Sequence, residues 1–222
     1  MFISFEGLDG SGKTTILDRL NQQLTEEYPT LEFVTTREPG GNKVVEAEKI
    51  RDIILSKKSR LSPTAEALLY TASRRIHLDQ VILPALQKKQ IVFCDRYVDS
   101  FYAYQGFGRQ LGLDFVRSLT NLAIGNIVPD VVFFFDISPE QALSRLNVRK
   151  LKSEANRLDE ELTNFHKLVY KGYQTLIDEN PAHFIKIDAT LSADDVFVNV
   201  WKKLHNLPAF QQKLKELGYT LK

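Results

Sequence analysis

Phe2 to Thr15 reads FISFEGLDGSGKTT. The opening residues, Phe2 to Phe5, read as a short buried strand. From Gly7 to Thr14 the chain then fits G-x-x-x-x-G-K-[ST]. From Thr14 to Glu27 the apolar residues Ile16, Leu17, Leu20 and Leu24 recur at helical spacing. A strand, a glycine-rich loop and a helix in that order are the context in which this motif cradles phosphates. Gly7, Gly10 and Gly12 permit a tight loop whose backbone N–H groups point inward, and the helix N-terminus adds positive potential. Lys13 supplies a point charge for the terminal phosphates, and the Thr14 hydroxyl can ligate Mg²⁺. The loop therefore predicts a bound nucleoside triphosphate. It leaves open what happens to that triphosphate.

Outward from this loop, apolar runs alternate with helical patterns. Leu31–Thr36, Ile91–Cys94, Val131–Phe135 and Phe184–Ile187 read as further strands. Helices are expected over Val44–Leu55 and over Thr64–Lys88, the latter opened by Ser62-Pro63 and kinked or split near Pro84. Others should begin at Ser138-Pro139 and at Ser192, where Asp195 completes a capping-box-like start. Strands and helices in alternation predict an α/β fold: a P-loop NTPase-type, doubly wound parallel sheet of about five strands with helices on both faces. In such sheets ligands bind beyond the carboxyl ends of the strands. No repeat or linker divides residues 1–222, so a single domain is expected.

Composition narrows the function. Basic and acidic residues balance at 29 against 28, which argues against a dedicated nucleic-acid binder. The single cysteine, Cys94, excludes an intramolecular disulfide, and the four histidines have no metal-ligand spacing. The longest purely apolar run, Val131–Phe135, is far too short to span a bilayer. The N-terminus lacks the layout of an export signal, so a reducing, cytoplasmic location is expected.

Arginine is placed where strand ends should gather. Arg37-Glu38-Pro39-Gly40-Gly41 follows the second strand, and Asp95-Arg96-Tyr97 follows the third. Arg51 lies on one helix and Arg74-Arg75 on the next. Guanidinium forks bond two phosphate oxygens at once, so arginines from separate segments beside a phosphate loop predict a second phosphorylated ligand. Asp95 is the expected Mg²⁺ partner, directly or through water. Residues 145–157 read RLNVRKLKSEANR. Such a charge run is commonly a solvated helix face, but in a phosphoryl-transfer protein it can also serve as a mobile lid that supplies an arginine.

Taken together, FEGLDGSGKTT, TTREPGG, LLYTASRRIHL, CDRYVDSFYAYQG and RLDEELTNFHKLVYKGY resemble bacterial thymidylate kinase from Phe2 to about Leu204. The resemblance implies transfer of the γ-phosphate of ATP to dTMP with Mg²⁺, in dTTP biosynthesis, by a homodimer. Gly7, Asp9, Gly10, Ser11, Gly12, Lys13, Thr14 and Thr15 would hold ATP, with Arg145 from the lid, and Thr14 and Asp95 the metal. Arg37, Arg51 and Arg96 match the arginines round the acceptor phosphate, and Glu38 the acid that supports them. Asp9 and Asp159 would arrange substrate or metal. Arg74 matches the residue that bonds the thymine edge, and Tyr70 the ring that stacks on the base. Tyr104 matches the residue that excludes a ribose 2′-hydroxyl, with Gln105 on the same wall.

The phosphate loop has no basic residue between Leu8 and Ser11, which resembles the lid-arginine type. Arg149 is the first candidate for the catalytic arginine, with Arg145 and Arg157 next, in a lid of about 145–158. One departure stands out: Phe101 replaces the polar residue that reads the thymine edge, and Ser100 is the neighbour able to compensate. A broad-specificity nucleotide kinase on the same scaffold is therefore the nearest alternative. A GTPase-type switch is disfavoured because Asn42-Lys43-Val44-Val45 does not complete N-K-x-D. The tail 207–222 is expected to form a short amphipathic helix packed on the body through Leu214 and Leu217.

Overall fold

A computed structural model describes residues 1–41, 43–150 and 163–220, with 148–150 as backbone alone. Five parallel strands form one sheet: β1 (Phe2–Gly7), β2 (Phe33–Arg37), β3 (Ile91–Asp95), β4 (Val131–Asp136) and β5 (Phe184–Asp188). Their spatial order is β2-β3-β1-β4-β5. All the expected strands are present, and each runs one or two residues beyond its apolar run. The ladder bonds backbone to backbone and tolerates a polar side chain at its end. The last strand residues are thus Gly7, Arg37, Asp95, Asp136 and Asp188, which line one edge of the sheet.

Between the strands run α1 (Lys13–Glu27), α2 (Val45–Leu55), α3 (Pro63–His77), α4 (Leu83–Gln87), α5 (Val98–Phe101), α6 (Leu113–Ile124), α7 (Pro139–Lys150), α8 (Thr163–Glu179), α9 (Ala193–His205) and α10 (Pro208–Glu216). Ser62 caps α3 by accepting from the Ala65 amide at 3.2 Å, and Ser192 caps α9 by accepting from Asp195 at 3.2 Å. The expected long helix over 64–88 is two helices joined by a π-helical turn, Leu78–Ile82. Pro84 accounts for this: its ring cannot sit over a regular i−4 carbonyl, and the turn widens so that Leu83 N–H reaches back to Leu78 O.

Alternation along β1 sends its side chains to two cores. Ile3 and Phe5 pack with Ile16, Leu17, Leu20 and Leu24 of α1, and the Phe5 and Phe133 rings stack at 5.4 Å. Phe2 packs on the other face with Leu78, Ile82 and Tyr97. Both faces are covered, so β1 and β4 are almost wholly buried, as central parallel strands are.

Three helical segments escaped the sequence reading: α5 with the π-helical turn Tyr102–Gly108 that continues it, α6, and α8. α8 packs tightly on that turn. A β-carbon at Gly108 would sit 2.7 Å from the Phe165 ring, and one at Gly172 would sit 2.8 Å from Phe107. The tail forms the expected helix, α10, anchored by fully buried Phe210 as well as by Leu214, with Leu217 half-buried beyond it. No helix among the described residues is long and apolar enough to cross a membrane.

Candidate active site

The phosphate loop follows β1 and feeds α1 as the motif requires. Lys13 lies buried beneath the loop, and its Nζ donates to Gly7 O (3.1 Å), Leu8 O (2.9 Å) and Ser11 Oγ (3.2 Å). Burial lowers its pKa to about 8; Arg96 pushes the same way, while Asp95, Asp9 and Glu6 push back. Gly10 has φ +85°, and a β-carbon there would lie 2.5 Å from Ala142 O, so α7 abuts the loop directly. Thr14 Oγ1 donates to Asp95 Oδ2 at 2.9 Å, while Asp95 Oδ1 is buried without a hydrogen-bond partner. A hydroxyl beside a partly unsatisfied carboxylate suits a hard cation, which prefers oxygen ligands. Among the described residues no group of three His, Cys, Asp or Glu could hold a metal alone. Phosphate oxygens would therefore have to complete such a site.

Arg96 is the hub. Its backbone is left-handed at φ +71°, a conformation rare outside glycine. That turn carries its guanidinium back over the end of β1. There Nη1 donates to Gly7 O and Ser100 Oγ (both 2.9 Å), and Nη2 donates to Asp9 Oδ1 (2.5 Å) and Tyr104 OH (3.2 Å). Tyr104 OH donates in turn to Asp9 Oδ2 at 3.0 Å. Burial alone would raise the Asp9 pKa, but Arg96 and Lys13 together hold it well below the usual carboxylate range. Asp9 thus stays ionised and clamps Arg96 in place.

Arg37 and Arg51 come together on the opposite wall, where both donate to Pro39 O, at 3.0 and 2.8 Å. Burial and the neighbouring Arg37 charge lower the Arg51 pKa. Two guanidiniums held close in this way favour an incoming anion. The acid on Arg37 is Glu48, at 2.9 Å, a residue the sequence reading did not single out. Glu38, expected to support these arginines, instead bonds Arg74 Nε (2.8 Å) and His77 Nδ1 (3.1 Å).

Arg74 is nearly fully buried, lies over Phe101 with its Cζ 4.8 Å from the ring centroid, and keeps Nη1 without a partner. Tyr70 meets Phe101 at a ring separation of 6.2 Å. Gln105 is tied to the buried Glu66 at 3.0 Å. Ser100 is committed to Arg96, Glu6 and Tyr173 and does not replace the polar edge that Phe101 removes.

Two adjoining clefts open beside the phosphate loop. One, of about 350 Å³, runs from Asp9 and Thr14 past Arg37 and Arg51 to Tyr70, Arg74 and Phe101. The other, of about 230 Å³, lies along Gly10, Gly12, Lys13 and Thr15 and is closed by Arg145 and Leu146. They share Asp9, Thr14, Asp95 and Arg96. Arg145 leans on the loop after β5, donating to Ala189 O at 2.8 Å. Arg149 falls in the last turn of α7 with its side chain outside the described residues, and Arg157 and Asp159 lie outside them altogether.

Comparison with known proteins agrees with this arrangement. A family model described as thymidylate kinase matches residues 5–200. The chain is 51% identical over 212 residues to a thymidylate kinase of Mycoplasmopsis agalactiae, covering 96% of this chain and 98% of that protein. It is 42% identical over 207 residues to that of Bacillus pumilus, covering 93% of this chain and 95% of that one. A crystal structure of thymidylate kinase from Ehrlichia chaffeensis superposes with a TM-score of 0.72 at 33% identity, covering 92% of this chain and 97% of that one. A phosphate loop facing an arginine-walled second cleft, carried on a sequence matched nearly end to end, leads to one assignment: the chain belongs to the thymidylate kinase family.

Proposed function

We propose that the chain phosphorylates dTMP to dTDP with ATP, by direct in-line transfer between two nucleotides bound at once. The observation that carries this reading is the pair of clefts meeting at Asp9, Thr14, Asp95 and Arg96. A switch protein needs the loop cleft alone, whereas a transferase needs a second anion site facing the first.

The triphosphate sits on the loop amides and Lys13, with the adenosine end towards Arg145. The monophosphate is held by Arg37, Arg51 and Arg96. Its base enters the far end, where the free Arg74 Nη1 meets a carbonyl edge and Tyr70 and Phe101 form apolar walls. Guanidinium is a pure donor, which favours a base with a ketone there over one with an amino group. Thr14 and Asp95 would hold Mg²⁺, which neutralises phosphate charge when bound. Acceptor phosphate is already anionic near neutral pH, with a second pKa of about 6, so no general base is required. The work left to the protein is alignment and charge neutralisation.

Arg96 bonds the acceptor and Asp9 keeps it aligned. Arg149 is the first candidate to stabilise the transferring phosphoryl group from the lid. Leu68 on α3, with Phe115 and Leu122 on α6, leaves large apolar side chains exposed, Leu122 at 84%. An apolar face of this kind supports a homodimer formed through these helices. A cytoplasmic location fits the absence of any disulfide requirement.

The test is ADP release from ATP and Mg²⁺ across dTMP, dUMP, dCMP, dGMP and the ribose analogue of TMP. dTMP-dependent release with little response to dCMP or the ribose form supports the reading. Nucleotide binding without acceptor-dependent ADP release overturns it.

A further inference from the structure

Glu6 is fully buried, on the face of β1 opposite the one Ile3 and Phe5 occupy, and it lines neither cleft. A carboxylate in that position is costly unless it is thoroughly bonded. Glu6 is: Oε1 accepts from the Tyr97 amide at 2.7 Å, and Oε2 accepts from Ser100 Oγ and from Tyr173 OH (3.1 Å). Those partners come from the β3–α5 junction, α5 and α8.

The same partners surround Arg96. Tyr97 N–H is the amide that immediately follows the left-handed turn at φ +71°. Ser100 Oγ and Tyr173 OH are the hydroxyls onto which Arg96 Nη1 donates, at 2.9 and 3.4 Å. Guanidinium only donates, so both hydroxyls accept from it, and their two protons are shared among Glu6 Oε2 and the 2.8 Å contact between Ser100 Oγ and Tyr173 OH. The neighbouring buried acid Asp99 does not compete for this acceptor role. Its Oδ2 has no hydrogen-bond partner and lies 4.0 Å from His183 Nε2, and burial raises the pKa of Asp99 and of Glu6 alike.

We infer that Glu6 is the positioning residue of Arg96: from behind the site it fixes both the strained backbone turn and the hydroxyl pair that aim the guanidinium at the acceptor phosphate. The inference rests on the acceptor role given to Arg96 above. Glu6 touches no substrate, and its influence runs wholly through that arginine.

The test is a double-mutant cycle on the full chain with Glu6→Gln, Arg96→Lys and the two combined, reading kcat, both KM values and the thermal midpoint. Gln at position 6 keeps one acceptor for Tyr97 N–H but turns a donor towards the hydroxyls. The expected result is a rise in KM for dTMP of about ten- to a hundred-fold, the scale of one charge-assisted hydrogen bond. KM for ATP should change less than about threefold. In the Arg96→Lys background the same change at Glu6 should add little. Equal rises in both KM values, or additive effects in the cycle, would overturn the inference.

If Glu6→Gln does not fold, Tyr173→Phe takes its place, since it removes one of the two hydroxyl links and leaves the carboxylate bonded by Ser100 and Tyr97. It should raise KM for dTMP alone, and an unchanged value overturns the inference. Should Arg96→Lys by itself leave KM for dTMP unchanged, the acceptor assignment fails instead, and the two failures are distinguishable.

Discussion

The Arg74–Glu38 pair offers a quantitative test, because both side chains are nearly inaccessible, at 2% and 3%. Arg74→Met keeps much of the chain length and the contact with Phe101 while removing the charge. Among the described residues, Glu38 then keeps His77 as a side-chain partner. Breaking a buried pair on one side costs about 3–5 kcal/mol, since a desolvated charge loses its counter-charge. For a chain of this length each kcal/mol moves the thermal midpoint by about 2–4 °C, so a fall of roughly 6–20 °C is expected. Arg74→Met/Glu38→Gln removes both charges and should recover most of that loss, as uncharged replacements of buried pairs often do. Urea titration of both variants at constant m-value provides the assay. On the proposed assignment of Arg74 to the base, the KM for dTMP should stay high in the double variant, because that donor is gone in both. A single variant that costs less than about 1 kcal/mol, or a double variant no more stable than the single, would refute the electrostatic account of this pair.

Lys13→Ala should abolish most of kcat while leaving the far-UV spectrum intact; near-normal turnover would remove the loop from the mechanism. With Lys13 held near 8 in the free protein, part of the population is neutral at and above that pH. Triphosphate binding favours the charged form, so it should take up protons there, which calorimetry in buffers of different ionisation enthalpy would detect; no uptake at pH 8 to 9 contradicts the shift. Arg149→Ala should slow turnover by roughly three to five orders of magnitude, the range of arginine fingers, whereas a tenfold loss would point to another lid residue. Gly10→Ala would set a β-carbon 2.5 Å from Ala142 O and should weaken ATP binding; unchanged affinity would mean that α7 yields.

Much of this architecture is legible in the chain. The strands could be read because β1 and β4 are buried on both faces and so form continuous apolar runs. The loop could be read because close backbone approach to phosphate forces glycine. α6 was harder: Val116, Thr120, Ala123 and Ile124 face inward, but Phe115 and Leu122 are also exposed, which blurs the periodicity. Pro84 marks the first π-helical turn in the sequence, whereas the second, Tyr102–Gly108, depends on how α8 packs against it and has no such local signature.

The same limit applies inside the site. Arg37, Arg51, Arg74 and Arg96 were named from chemistry and position, and the fold brings all four to one cleft. Their acids were not assigned in the same way. Glu38 neighbours Arg37 in sequence yet serves Arg74, because successive residues past a strand end point to opposite sides. Glu48 sits eleven positions after Arg37 and reaches it only because α2 folds back over the strand end. Tyr173 lies 77 positions from Arg96. Pairings at such separations follow from topology, and nothing in the local sequence marks them.

The seam at Gly108 and Gly172 has a mechanical corollary. Side chains normally act as compressible spacers on both partners, and here one backbone is bare at each contact: Phe165 and Val169 pack directly on Gly108, and Phe107 on Gly172. α8 is therefore a rigid strut for Tyr173, the next residue along, and for whatever that hydroxyl supports. A single methyl at either glycine would act as a wedge, tilting the strut and detuning the proposed acceptor pocket from a residue that lines neither cleft.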